Sequence, residues 1–334
     1  MTSSPEKDAA SIVDRVKNFI INEPGFEFVK VAGSGAYGTT IAVKTINYDL
    51  PNEEIAPERR TLERLIWAMH IVTLIQPPFR SNPPAWFKDN TLITEYVENG
   101  TLARLKGRVW NIKGRRQRKL PNRVLWAIFL CLTRACIGIA YPPGDLSKAP
   151  SGPRDQILEV LPTDDRPPSK VHHDDLHEGN IMIGDLDQDE HRYFPGMKII
   201  DFGLAPSDDD AVNKNIYVIG IVMSELIWYD RRTISDLVND KRGANTLDPD
   251  LDLELLTLAI ECARRIPAPR PSLSRLFTTT SANVLRTYPD IPEESDSYIK
   301  YLVQRHWQKP EPPTTAGQAS DKEDTTLSAW RIGS

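Results

Sequence analysis

The sequence predicts an α+β fold, with strands early in the chain and helices filling most of the remainder. Three observations carry that expectation. Short apolar or alternating runs at Phe26–Val31, Ile41–Lys44 and Thr91–Thr94 have the pattern of strands. Longer runs at Asn122–Ala140, Ile216–Trp228 and Asp252–Cys262 are apolar or amphipathic over helical lengths. Between them, Val171–Gly203 holds two polar signatures, each beside an apolar triplet that reads as a strand. The first is His173-Asp174-Asp175-Leu176-His177-Glu178-Gly179-Asn180, followed by Ile181-Met182-Ile183. The second is Asp201-Phe202-Gly203, preceded by Met197-Lys198-Ile199-Ile200.

The totals narrow the class. An apolar fraction of 40% and a charged fraction of 26% are those of a globular protein. Forty-one basic against 46 acidic residues give a net charge of −5, which makes nucleic acid an unlikely partner. Uninterrupted apolar runs such as Ile216–Met223 are far below the roughly 20 residues that span a bilayer, so no membrane association is expected. Three cysteines are too few for a disulfide framework, and the polar N-terminus lacks a signal-peptide core. An intracellular protein, cytoplasmic or nuclear, is expected. Residues 1–10 and 309–334 are polar and read as disordered tails.

Taken in order, Ala10–Ile21 has helical spacing and Phe26–Val31 alternates as a strand. Gly33-Ser34-Gly35-Ala36-Tyr37-Gly38 follows. Its glycines would let backbone N–H groups approach phosphates, although the same pattern alone also makes a flexible turn. Glu58–Leu74 carries a helical stripe of Leu62, Leu65, Ile66 and Met69. Lys106–Arg123 is strongly basic and reads as a solvated loop between helices, with an anion-binding or nuclear-localisation patch as the alternative. Cys131 and Cys136 belong to the core of the Asn122–Ala140 helix. Tyr141–Lys170 is a proline-rich insertion with a short ordered piece at Ile157–Leu161, and Tyr298–Trp307 closes the pattern as a last helix.

The chemistry centres on Asp175, Asn180 and Asp201. Each lies in a loop at a strand end, so two carboxylates and an amide can converge on one point. Hard oxygen donors in small number suit Mg²⁺ carrying phosphate oxygens. A carboxylate at Asp175 can align an acceptor hydroxyl and take its proton as bonding develops.

H-x-D-L-x-x-x-x-N followed by D-F-G resembles the catalytic loop and metal-binding segment of eukaryotic protein kinases, in particular the divergent ones common in filamentous fungi. The resemblance covers roughly residues 25–280. It implies a two-lobe fold: a small β-rich lobe over residues 11–95 and a large helical lobe over 96–308, with the insertion at about 141–170. It implies ATP and Mg²⁺ as cofactors. Gly33, Gly35 and Gly38 would cover the phosphates, Lys44 would sit on them, and Glu58 would pair with Lys44, with Glu63 as runner-up. Backbone groups of Glu95 and Val97 would bind adenine beside Thr94. Asp175 would be the catalytic base, Asn180 and Asp201 the metal ligands, and His173 a structural residue. The implied function is phosphoryl transfer to a serine or threonine of a protein substrate.

The sequence departs from that pattern in four places. Five residues separate Gly38 from Lys44, whereas a strand, a turn and a second strand need about 12. Either the small lobe lacks a strand or a segment is missing. His173 is followed by Asp174, where many kinases carry an arginine. His177-Glu178-Gly179-Asn180 resembles the loop of aminoglycoside- and choline-kinase-like phosphotransferases, although these normally lack the Phe-Gly after the metal aspartate. Finally, the run from Asp201 to Asn215 is short, and Arg270 has no evident glutamate partner. Two alternatives therefore stand beside the leading reading: a pseudokinase that binds nucleotide or partners, and a small-molecule kinase.

Overall fold

The computed structural model describes residues 15–22, 26–29, 39–46, 55–76, 79, 82–110, 120–143, 156–186, 191–227, 249–265, 270–307 and 325–332. Gly33, Gly35 and Gly38 lie outside the described residues, as do the 1–10 tail and part of the basic block.

The fold is α+β. A four-stranded antiparallel sheet has the order β1-β6-β2-β3, formed by β1 (Phe26–Val29), β6 (Thr325–Ile332), β2 (Thr39–Ile46) and β3 (Thr91–Glu95). Alternation along β2 divides its residues between two faces. Ile41 and Val43 join Ile93, Phe87 of helix α3 (Ala85–Asn90) and Val16 and Ile20 of helix α1 (residues 15–21) in one small core. Ala42 and Lys44 therefore point to the opposite face.

The larger core is built around α5 (Asn122–Ala140), in which every residue except Arg123 is buried. It is packed by α2 (Ile55–Leu65), α4 (Leu102–Trp110), α6 (Ala211–Ile227), α7 (Leu253–Cys262), α8 (Leu273–Asn283) and α9 (Asp296–Leu302). Its N-terminus is closed by Glu294, whose carboxylate accepts the backbone N–H groups of Asn122 and Arg123, two of the donors a helix start leaves orphaned. Among the described residues α5 is the one helix long and apolar enough to cross a membrane, and 89% of its apolar window is buried inside the protein. A two-stranded hairpin, β4 (Ile181–Ile183) with β5 (Met197–Ile199), lies against this core.

Three expectations need correction. The helix expected over Glu58–Leu74 stops at Leu65. Ile71 and Val72 are β-branched, and their backbones are claimed elsewhere: Ile71 bridges Ile199, and the Val72 N–H donates to the Ile199 carbonyl at 2.9 Å. The tail expected over 309–334 contains β6, whose register runs from Thr39↔Ile332 to Ile46↔Thr325. Its polar composition hid a strand whose pairing partners lie some 280 residues away. In the sheet β6 lies between β1 and β2. Lys106 is not a loop charge either: it sits on α4 and pairs with Glu178.

Candidate functional site

Lys44 is delivered by β2 to the face away from the small core, and α2 brings Glu58 against it. On α2 the buried positions are Ile55, Glu58, Leu62 and Leu65, spaced three and four apart, so Glu58 occupies a core-facing position. Its side chain is buried, and its carboxylate takes the Lys44 ammonium at 2.9 Å. Glu63 is exposed on the opposite side of the helix. The same ammonium lies 2.8 Å from the Asp201 carboxylate. Lys44, Glu58 and Asp201 thus form one charged contact from three distant segments.

Asp201 has φ 65°, in the left-handed region that a β-carbon disfavours, and Asp174 has φ 54°. Outliers of this kind persist where the surroundings over-determine them. At Asp201 those surroundings are visible. The preceding Ile200 donates its N–H to the Asn180 carbonyl at 3.0 Å, and its carbonyl accepts from His173 Nε2 at 2.7 Å. The His173 ring packs on Phe202 at 4.7 Å between centroids. Asn215 grips the same loop, accepting the His173 N–H at 3.1 Å and donating to the Val171 carbonyl at 3.3 Å.

Asp175 and Asn180 are brought together in turn. Asn180 Nδ2 donates to the Asp175 carbonyl at 2.9 Å and lies 3.5 Å from its carboxylate. The Asp175 side chain is half exposed while Asn180 is buried. His177 accepts the Gly179 N–H at 3.0 Å, and a β-carbon on Gly179 would stand 2.6 Å from that ring, so any larger residue would turn the exposed imidazole away. Gly100, at φ 80°, turns the chain after β3 so that its carbonyl accepts from Ile183 of β4 at 2.9 Å.

The charges respond to this packing. Burial pushes the Glu58 carboxyl up, and the Lys44 ammonium offsets that only in part. Burial also acts on Asp201, but there Lys44 prevails and holds the carboxyl below its usual range. Lys44 is raised, because its two carboxylates outweigh its burial. Burial pushes His173 down.

Glu95 and Val97 follow at the end of β3, beside Ile41 of β2 in register. A feature the sequence reading did not anticipate is the Glu95 side chain. It accepts from Lys198 Nζ at 2.8 Å, from the Thr73 N–H at 2.8 Å and from Gln156 Nε2 at 3.1 Å. No local sequence signal marks this network, since its members come from four segments. Arg270, for which the sequence offered no evident glutamate partner, donates to the carbonyls of Arg264 at 2.7 Å and Asn213 at 2.9 Å and stacks on Tyr217. The short run after Asp201 is tied down: Ser207 bridges Val171, and Asp208 pairs with Lys214 at 2.6 Å.

Neither a scan against protein-family models nor a search of curated proteins returned a match to this chain.

Proposed function

We propose that this chain is an ATP- and Mg²⁺-dependent phosphotransferase of protein-kinase-like, two-lobe architecture, acting on a serine or threonine hydroxyl of a protein. The observation that carries this reading is the Lys44 ammonium shared by Glu58 and Asp201, at 2.9 and 2.8 Å, from residues 14 and 157 positions away. A buried glutamate on a lysine beside a metal-type aspartate is the pairing that phosphoryl transfer needs to hold polyphosphate in place. In this reading the four-stranded sheet is the small lobe, the helices around α5 are the large lobe, and the chain crosses between them after Glu95.

The donor set fits a hard divalent cation. Asn180 spends its amide nitrogen on Asp175, which leaves Oδ1 as an acceptor, and Asp201 supplies an ionised carboxylate. Mg²⁺ held by these two residues would neutralise charge on the phosphates. Lys44 adds a second positive group, and Glu58 fixes its direction. Asp175, half exposed at the mouth of the loop, orients the acceptor hydroxyl and takes its proton.

A thermal-shift titration with ATP and Mg²⁺ tests the binding half: wild type shifts and Asp201→Ala does not. No shift in wild type would remove every nucleotide-dependent reading. Phosphate transfer from labelled ATP to generic protein substrates tests the chemistry, with a fall of about 10²- to 10⁴-fold expected for Asp175→Ala. A shift without transfer leaves a pseudokinase. A small-molecule acceptor is favoured by one observation, the closed run in which Ser207 bridges Val171 and leaves little platform for a peptide. ATP turnover with small hydroxyl compounds but not with proteins would select that reading.

A further inference from the structure

Beside β5, three side chains from separate segments converge inside the core. His70 lies in the turn after α2, Cys131 on α5, and His191 in the segment before β5. All three are buried, and their ligand atoms lie within 4.8 Å of one another. His70 Nε2 and His191 Nε2 face each other at 3.3 Å, and Cys131 Sγ is 3.9 Å from His191 Nε2.

We propose that His70, Cys131 and His191 bind one Zn²⁺ ion that clamps the segment preceding β5 to α5 and to the turn after α2. This site is separate from the nucleotide reading and does not depend on it. Two imidazoles and a thiolate are a donor set Zn²⁺ favours. The distances fit. Zn–N bonds of about 2.0–2.1 Å at tetrahedral angles put two nitrogens about 3.3–3.4 Å apart. With a Zn–S bond of about 2.3 Å the nitrogen–sulfur edge is about 3.6 Å; Cys131 Sγ is 3.9 Å from His191 Nε2 and within 4.8 Å of His70.

The surroundings supply what a metal-bound histidine needs. Glu159 accepts the Nδ1 proton of His70 at 2.7 Å, which directs the Nε2 lone pair to the cluster, and its other oxygen takes the His70 backbone N–H at 2.7 Å. Glu159 is 1% exposed, and Arg134 donates to its carbonyl at 2.5 Å. Room for it comes from Gly138, seven residues after Cys131 on the same face of α5, where a β-carbon would stand 3.0 Å from Glu159 Cγ. On the other side, a β-carbon at Gly196 would come within 3.2 Å of His191 Nε2, so glycine keeps that flank clear. One thiolate and one carboxylate offset the two positive charges of zinc in this buried setting.

The test is elemental analysis of the full chain purified without added metal, with about one zinc per chain expected. Cys131→Ala and His191→Ala should fall below about a tenth of that, while Cys136→Ala, a buried cysteine on the same helix outside the cluster, keeps its zinc. Because the ligand variants may fail to fold, wild type grown in cobalt-supplemented medium gives a second readout. It should show thiolate-to-cobalt charge transfer and the visible bands of a tetrahedral ion. Less than about a tenth of a zinc per chain together with no cobalt spectrum would overturn the proposal and leave a hydrogen-bonded triad. So would a Cys131→Ala chain that keeps its metal, and one equivalent of another metal would overturn the assignment to zinc.

Discussion

At the scale of single residues, His173 shows how burial selects one protonation state. Its Nε2 donates to the Ile200 carbonyl, and its Nδ1 is buried with no hydrogen-bond partner. The neutral ring suits that environment, so burial holds its pKa below 6.5, against the pull of Asp201 and Asp175 and with a small push from His177. The sign follows directly. Below 6.5 the unfolded chain takes up a proton that the folded chain refuses, so this contribution to stability is complete above about pH 6.5 and declines as the pH falls toward the folded value. Denaturant midpoints measured between pH 5 and 8 should fall on the acid side, with this residue adding no more than about 1.4 kcal/mol per pH unit. His173→Gln should flatten that slope. An unchanged slope would mean that the ring is not the group responsible.

At the scale of elements, the sheet depends on its most distant strand. β1 pairs only with β6 among the described residues, and β6 also covers the long side of β2, the strand that carries Lys44. Lys44 stands opposite Leu327 in that register. A chain ending at residue 307 should leave β1 unpaired and β2 with an open edge. Leu327→Pro is the milder version, since proline cannot complete a central ladder. A loss of about 3 kcal/mol, or about 5 °C in melting temperature, is expected for Leu327→Pro, together with a smaller stabilisation by ATP and Mg²⁺. Equal melting temperatures for wild type and Leu327→Pro would show that β6 does not support the sheet.

At the scale of the molecule, the helical body is joined by a polar knot at Asp252. The residue caps α7 by accepting from the Glu254 N–H at 2.9 Å, and its other oxygen takes Trp126 Nε1 at 3.1 Å, Arg286 at 2.7 Å and the Tyr288 hydroxyl. Asn122 accepts its backbone N–H at 2.9 Å. One carboxylate therefore ties α5, α7 and the chain after α8. Burial alone would raise its pKa, but these donors hold it below the usual range. Asp252→Ala removes a cap and strands buried donors, so a loss of about 2–4 kcal/mol in chemical denaturation is expected. A loss under about 0.5 kcal/mol would show the knot to be incidental.

The α+β class, the span of α5 and the closeness of Asp175 to Asn180 were legible in the sequence. They rest on local periodicity and on short spacings, where neighbours in sequence are neighbours in space. Glu58 was marked only by the resemblance, and its place on the buried face of α2 came with the structure. Other features came only with the tertiary structure. The end of α2 at Leu65 is decided by β5, which claims the backbone of Ile71 and Val72. β6 is decided by partners at the other end of the chain, and its Thr325–Ile332 run, short and set in a polar tail, carries no sign of which strands it joins. The convergence of His70, Cys131 and His191 is of the same kind. Each residue reads as an ordinary core position, and only packing three separate segments together turns their donor atoms toward one point.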